Sequence, residues 1–121
     1  METESGLIPL SRSFAIETIR TCTGIRRSGR GNVLIDQLLR CGTSIGANIR
    51  EGNYASSRAD FINKFQIALK ECYETDYWLD IFKESGMMTE AEFQRLHEPC
   101  SKLRAMLSAS VRTAKQNRTK E

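Results

Sequence analysis

Two stretches of this chain place apolar or small side chains at alternating steps of three and four, and that spacing constrains the fold more than any other feature. In residues 32 to 53 the steps pick out Ile35, Leu38, Gly42, Ile45, Ile49 and Gly52. In residues 58 to 85 they pick out Phe61, Phe65, Ala68, Cys72, Thr75, Leu79 and Phe82. Only a helix brings such positions onto one face, because a strand would need steps of two. Each face must then find an apolar partner. Ile62, Leu69, Tyr73 and Trp78 lie beside the second seam and widen it, which predicts a helix covered on two sides.

Two further segments show the same period. Residues 10 to 27 carry Phe14, Thr18, Thr21 and Ile25 on one side with Ile16 and Ile19 nearby; the threonines lower helix propensity, so packing must hold this helix. Residues 89 to 116 carry Phe93, Leu96, Cys100, Leu103, Leu107, Ser110 and Ala114, and Pro99 is expected to kink or locally break that helix. Beyond it the chain turns polar and is expected to fray. The connections are short: Gly29-Arg30-Gly31-Asn32, Gly52-Asn53 before the Ser57-to-Asp60 capping pattern, and Ser85-Gly86 before the Thr89-to-Glu92 capping pattern. Short links between long helices force antiparallel neighbours, which predicts an all-α, antiparallel up-and-down four-helix bundle formed as one domain over residues 1 to 121.

Composition excludes several classes of function. At 40% hydrophobic and 27% charged the chain is not of disordered type. No apolar run reaches the length of a bilayer span, and the first residues lack an export signal, so a cytoplasmic protein with no membrane partner is expected. Cys22, Cys41, Cys72 and Cys100 form no CxxC pair and read as buried reduced thiols, not metal ligands. His97 is the one histidine, and Gln94 stands three residues before it, so the Glu-x-x-His pairs of a di-iron bundle are missing. A carboxylate site pairing Glu51 with Glu71 or Glu74 is the remaining enzymatic reading; carboxylates on helix surfaces are commonplace, and no catalytic residue, metal or cofactor is assigned.

Charge is unevenly spread. The net charge is only +3, but Arg12, Arg20, Arg26, Arg27 and Arg30 crowd the first helix and its turn against Glu17 alone. Arg112, Lys115 and Arg118 lie near the other end of the chain, and acids such as Glu71, Glu74, Asp76 and Asp80 fall between. Such polarity attracts polyanions, and equally fits solvated helix faces. The candidate nucleic-acid contacts are Arg20, Arg26, Arg27 and Arg30 in one cluster and Arg112, Lys115 and Arg118 in another, at opposite ends of the bundle. The arginines of the first turn are expected to contribute little to stability. Tyr73, Tyr77 and Trp78 could stack bases, or fill core and interface.

The stretch from Gln37 to Gly52 is the most distinctive. Gly42 and Gly46 are four apart and clear a patch where another backbone can approach; Ser44, Asn48 and Glu51 line a polar strip beside it that could fix helix register or face water. With Trp78 these are the candidate packing and assembly residues. This stretch, together with Ser13-Phe14-Ala15, Asp60-Phe61, Ile67-Ala68, Lys70-Glu71, Glu74-Thr75 and Tyr77-Trp78-Leu79, resembles the signature of the 23S rRNA intervening sequence proteins. The resemblance implies an antiparallel four-helix bundle assembling as a ring-like homo-oligomer, most often a pentamer. Members are encoded in insertions within bacterial large-subunit rRNA genes or elsewhere in bacterial genomes, and the family's molecular role is poorly defined. A similar branch, the accessory proteins of diversity-generating retroelements, binds nucleic acid and a reverse transcriptase. The expectation is therefore a non-enzymatic homo-oligomeric scaffold associated with RNA or DNA, with a protein-interaction subunit lacking nucleic-acid affinity as the alternative.

Overall fold

A computed structural model describes residues 2–120 of the chain, with side chains described for residues 6–117. Four helices follow one another: α1 (Glu2–Arg27), α2 (Ile35–Asn53), α3 (Arg58–Glu84) and α4 (Glu90–Lys120). Each packs on its neighbours in sequence, and α4 returns to α1; among the described residues the diagonal pairs α1 with α3 and α2 with α4 make no close backbone approach. That is the ring of contacts of an antiparallel four-helix bundle. No strand occurs among the described residues.

The seams fall where the spacing puts them. Ile35, Leu38, Gly42, Ile45, Ile49 and Gly52 are buried on α2, and Cys41 joins them. On α3 the buried stripe runs from Phe65 through Ala68, Cys72, Thr75 and Leu79 to Phe82, but begins at Ile62 and not at Phe61. Phe61 instead lies against the edge of the core, its ring 4.2 Å from that of Phe65. On α1, Leu7, Phe14, Thr18, Thr21, Cys22 and Ile25 turn inward, while Ile19 stays 48% exposed.

Two prolines lie within helices. The first helix starts well before residue 10 and includes Pro9. Proline costs a helix its hydrogen bond to the preceding turn, but Leu7, fully buried two residues earlier, anchors the extra residues to the core. α4 likewise runs through Pro99 without a break, because Leu96, Cys100, Leu103 and Leu107 are fully buried on both sides of it. Tertiary packing outweighs local propensity at both places.

Close helix approach depends on glycine. A Cβ at Gly42 would lie 2.8 Å from Cγ2 of Thr18 on α1, and one at Gly46 would lie 3.3 Å from Oγ of Ser11. Thr18 cannot swing aside freely: it is buried and β-branched, and its hydroxyl donates to the Phe14 carbonyl at 2.8 Å. A Cβ at Gly52 would meet the Phe65 ring at 2.7 Å, so the α2–α3 contact needs glycine too. The patch cleared by Gly42 and Gly46 is thus filled by α1 of the same chain.

All four thiols are buried. Burial pushes Cys22 and Cys41 up from 9.0 to about 11. Cys100, whose Sγ donates to the Cys72 carbonyl at 3.7 Å, is also held well above the ordinary thiol range, through its hydrogen bond with Cys72 and through burial.

Two outcomes test this packing. Replacing Gly42 with alanine should destabilise the fold by about 1–2 kcal/mol, the overpacking cost exceeding the gain in helix propensity. The same change at Gly24, where a Cβ meets nothing within 4 Å, should stabilise by about 0.5–1 kcal/mol; chemical denaturation measures both. A disulfide reagent at about pH 8 should modify none of the four cysteines in the folded chain and all of them after unfolding.

Candidate nucleic-acid interface

The turn between α1 and α2 does more than connect. Gly29, at φ 80°, stops α1, and the chain then carries Arg30 across to the start of α4. There the Arg30 guanidinium donates to both Glu92 oxygens, at 2.7 and 3.0 Å, and to the Met87 carbonyl at 3.0 Å. Glu92 is itself half of a capping box: its carboxylate accepts from the Thr89 N–H at 2.8 Å, and its own N–H donates to the Thr89 hydroxyl at 3.1 Å. The Arg30 hydrogen bonds hold the Glu92 carboxyl down from 4.5 to about 2, with burial opposing and Thr89 assisting.

This corrects the expectation that the turn arginines contribute little to stability. Arg30 ties one turn of the bundle to the next helix, so its donors are committed within the chain. Arg26 is committed as well, to Asp36 at the start of α2. Arg20 and Arg27 are exposed, with no partner among the described residues. Arg112 and Lys115 lie exposed on the last turns of α4, at the opposite end of the bundle, and the Arg118 side chain lies outside the described residues.

The polar strip on α2 points mostly back to its own helix. The Ser44 hydroxyl donates to the Arg40 carbonyl at 2.7 Å, and the Asn48 amide donates to the Ser44 carbonyl at 2.9 Å. Glu51 pairs with Lys64 of α3 at 3.3 Å. Glu71 and Glu74 instead share Arg40, whose guanidinium is 3.2 Å from Glu71. Trp78 donates its indole N–H to Glu74 at 3.2 Å, and Glu74 is held below the usual carboxylate range, chiefly by Arg40. So the structure separates Glu51 from the Glu71–Glu74 pair and neutralises each with a cation. His97 stacks on Phe93 and sits 3.8 Å from Asp76, which Arg104 also engages at 3.1 Å. No group of three potential metal ligands occurs among the described residues.

The structure adds Arg12 and Arg50, which the sequence did not single out as contacts, to the exposed Arg20 and Arg27. Arg12, Arg20 and Arg27 are eight and seven positions apart on α1; the step of eight turns by about 80°, so they form a broad band about 22 Å long on the exposed side of α1, Arg12 at its α2 edge and Arg20 at its α4 edge beside Pro99. Beside the band, α1 and α2 leave a groove of about 210 Å³. Ser11, Ala15, Gly46 and Ala47 are among its lining residues, and Arg12 of α1 and Arg50 of α2 line it from opposite helices. Neither arginine has a partner among the described residues, and both are exposed. Arg50 is invisible as a partner of Arg12 until Gly46 is seated against Ser11. Tyr73 and Tyr77, 55% and 57% exposed on α3, lie on the helix diagonal to α1, away from this basic face.

Comparison with known proteins follows the fold. The family model described as 23S rRNA-intervening sequence protein matches residues 6–109. The chain is similar to the crystal structure of a protein with unknown function from the S23 ribosomal protein family of Bacteroides thetaiotaomicron, with 34% identity and a TM-score of 0.87. The match covers 91% of this chain and 98% of that one. No curated protein matches the chain.

The Arg30–Glu92 tie has a pH signature. Its carboxyl is depressed in the folded state, so the stabilisation is complete above about pH 5 and is lost as pH falls toward about 2. Glu92→Gln should lower stability by about 1–2 kcal/mol at neutral pH, and urea melts should show the deficit shrinking toward about pH 2.

Proposed function

The chain belongs to the 23S rRNA-intervening sequence protein family, and on that premise we propose that it is a non-catalytic scaffold that associates with itself and binds nucleic acid through the outer face of α1. One observation carries the reading: Arg12, Arg20 and Arg27 are spread over the exposed side of α1, Arg50 of α2 faces Arg12 across a groove, and no described residue neutralises them. Four unpaired guanidiniums on one side of a small bundle suit phosphate, whose oxygens accept their paired donors.

Self-association multiplies this face. Each copy brings a net charge of +3, so a closed assembly such as a pentamer concentrates a field that a single chain makes only weakly. Ile19 on α1 and Tyr73 and Tyr77 on α3 are exposed on diagonal helices. Contact between two such unlike patches is head-to-tail, the kind that closes rings. The same tyrosines favour the second reading, a subunit that recruits a protein partner through α3 and has no affinity for nucleic acid.

Two measurements separate these readings. Light scattering at micromolar concentration should return a mass several times 13.7 kDa; a monomer removes the self-association. Binding of labelled RNA should weaken steeply with salt, and changing Arg12, Arg20 and Arg27 together to glutamine should reduce affinity by an order of magnitude or more and flatten the salt dependence. The helical content should stay the same. Absence of binding to RNA or DNA at low salt would leave the protein-recruiting subunit.

A further inference from the structure

One helical turn along α2 from the groove it forms with α1, the fold leaves an aromatic side chain bare. Tyr54 caps α2 one turn after Arg50 and is 77% exposed. Its backbone N–H is tied to the Glu51 carbonyl at 3.2 Å, while its ring has no ring or cation partner among the described residues. A position four residues on lies about 6 Å along the axis and on nearly the same face. Arg12, Arg50 and Tyr54 therefore follow one another along one edge of the bundle.

From this arrangement we infer that the α1–α2 groove is a seat for one phosphodiester of a single-stranded nucleic acid, with the adjoining base stacked on Tyr54. The inference rests on the nucleic-acid reading above and specifies its site and strand state. The size of the groove sets the first limit. Ala15, Gly46 and Ala47 line it beneath the two arginines, and about 210 Å³ is room for one phosphate with its sugar. Chemistry sets the second. Guanidiniums on opposing helices can each offer paired donors to the same phosphate, and the nearby tyrosine face accepts any unpaired base. A base inside a duplex is already stacked on both sides and gains nothing from Tyr54. Position along α2 sets the third. The negative end of a helix repels anions along its axis, so the phosphate lies beside α2, over Ala47, while the uncharged base takes the place at the helix end.

Fluorescence anisotropy with a short labelled oligo(U) strand, and with a duplex of similar length, tests this directly. Tyr54→Ala should weaken oligo(U) binding about five- to tenfold and leave duplex binding and thermal stability unchanged. Arg12→Gln with Arg50→Gln should weaken the strand by tenfold or more. Ala47→Leu, which fills the groove without touching a charge, should weaken it similarly. Uridine monophosphate should compete far less well than the strand, because it cannot reach Arg20 and Arg27. Wild-type binding that these three variants leave intact would overturn the seat while keeping the basic face. A duplex as sensitive to Tyr54→Ala as the strand would overturn the single-strand assignment, and equal competition by the mononucleotide would make the groove a nucleotide site instead. No binding of any nucleic acid by the wild-type chain would overturn both the seat and the reading beneath it.

Discussion

The close contact of α1 on α2 fixes what the rest of the molecule can present. Gly42 against Thr18 and Gly46 against Ser11 set both the distance and the register of the two helices. A one-residue slip would rotate α1 by about 100° and turn Phe14 and Ile25 out of the core. Because the buried side of α1 is held, its opposite side is held too, and with it the arginine band. Arg12 and Arg50 come to flank one groove only because small residues bring their helices together between them. Core packing and surface chemistry are here two sides of one constraint.

A second constraint works at the end of the bundle. The Arg30–Glu92 tie joins the α1–α2 turn to the start of α4 across more than sixty positions of chain. It also completes the hydrogen bonding of the capping box, so one guanidinium secures both a turn and a helix terminus. Half of the cationic cluster expected at this turn therefore serves the fold. The exposed arginines left over at this end, Arg20 and Arg27, have no partner among the described residues, although Arg20 lies beside Pro99 of α4.

Most of the architecture was legible in the sequence because a helical seam is written directly into residue spacing: α2 and the greater part of α3 and α4 follow from it. The start of α1 was not, since Pro9 reads as a boundary and only the burial of Leu7 shows why the helix continues past it. Charge was legible as composition but not as partnership. Nothing in the local sequence distinguishes Arg30, which chelates Glu92, from Arg27, which has no partner among the described residues; the difference arises when residues distant in the chain are brought together. Arg50 and Tyr54 were passed over for the same reason. Each looks ordinary alone, and their interest comes from a groove that exists only once two helices are packed.

The sealed thiols bear on how copies of this chain can hold together. All four sulfurs lie within the bundle, so none is placed to staple one molecule to the next. Any assembly is then held by non-covalent contacts, and its equilibrium extent follows concentration by mass action. Abundance in its surroundings, and not oxidation, would set how many arginine faces act together.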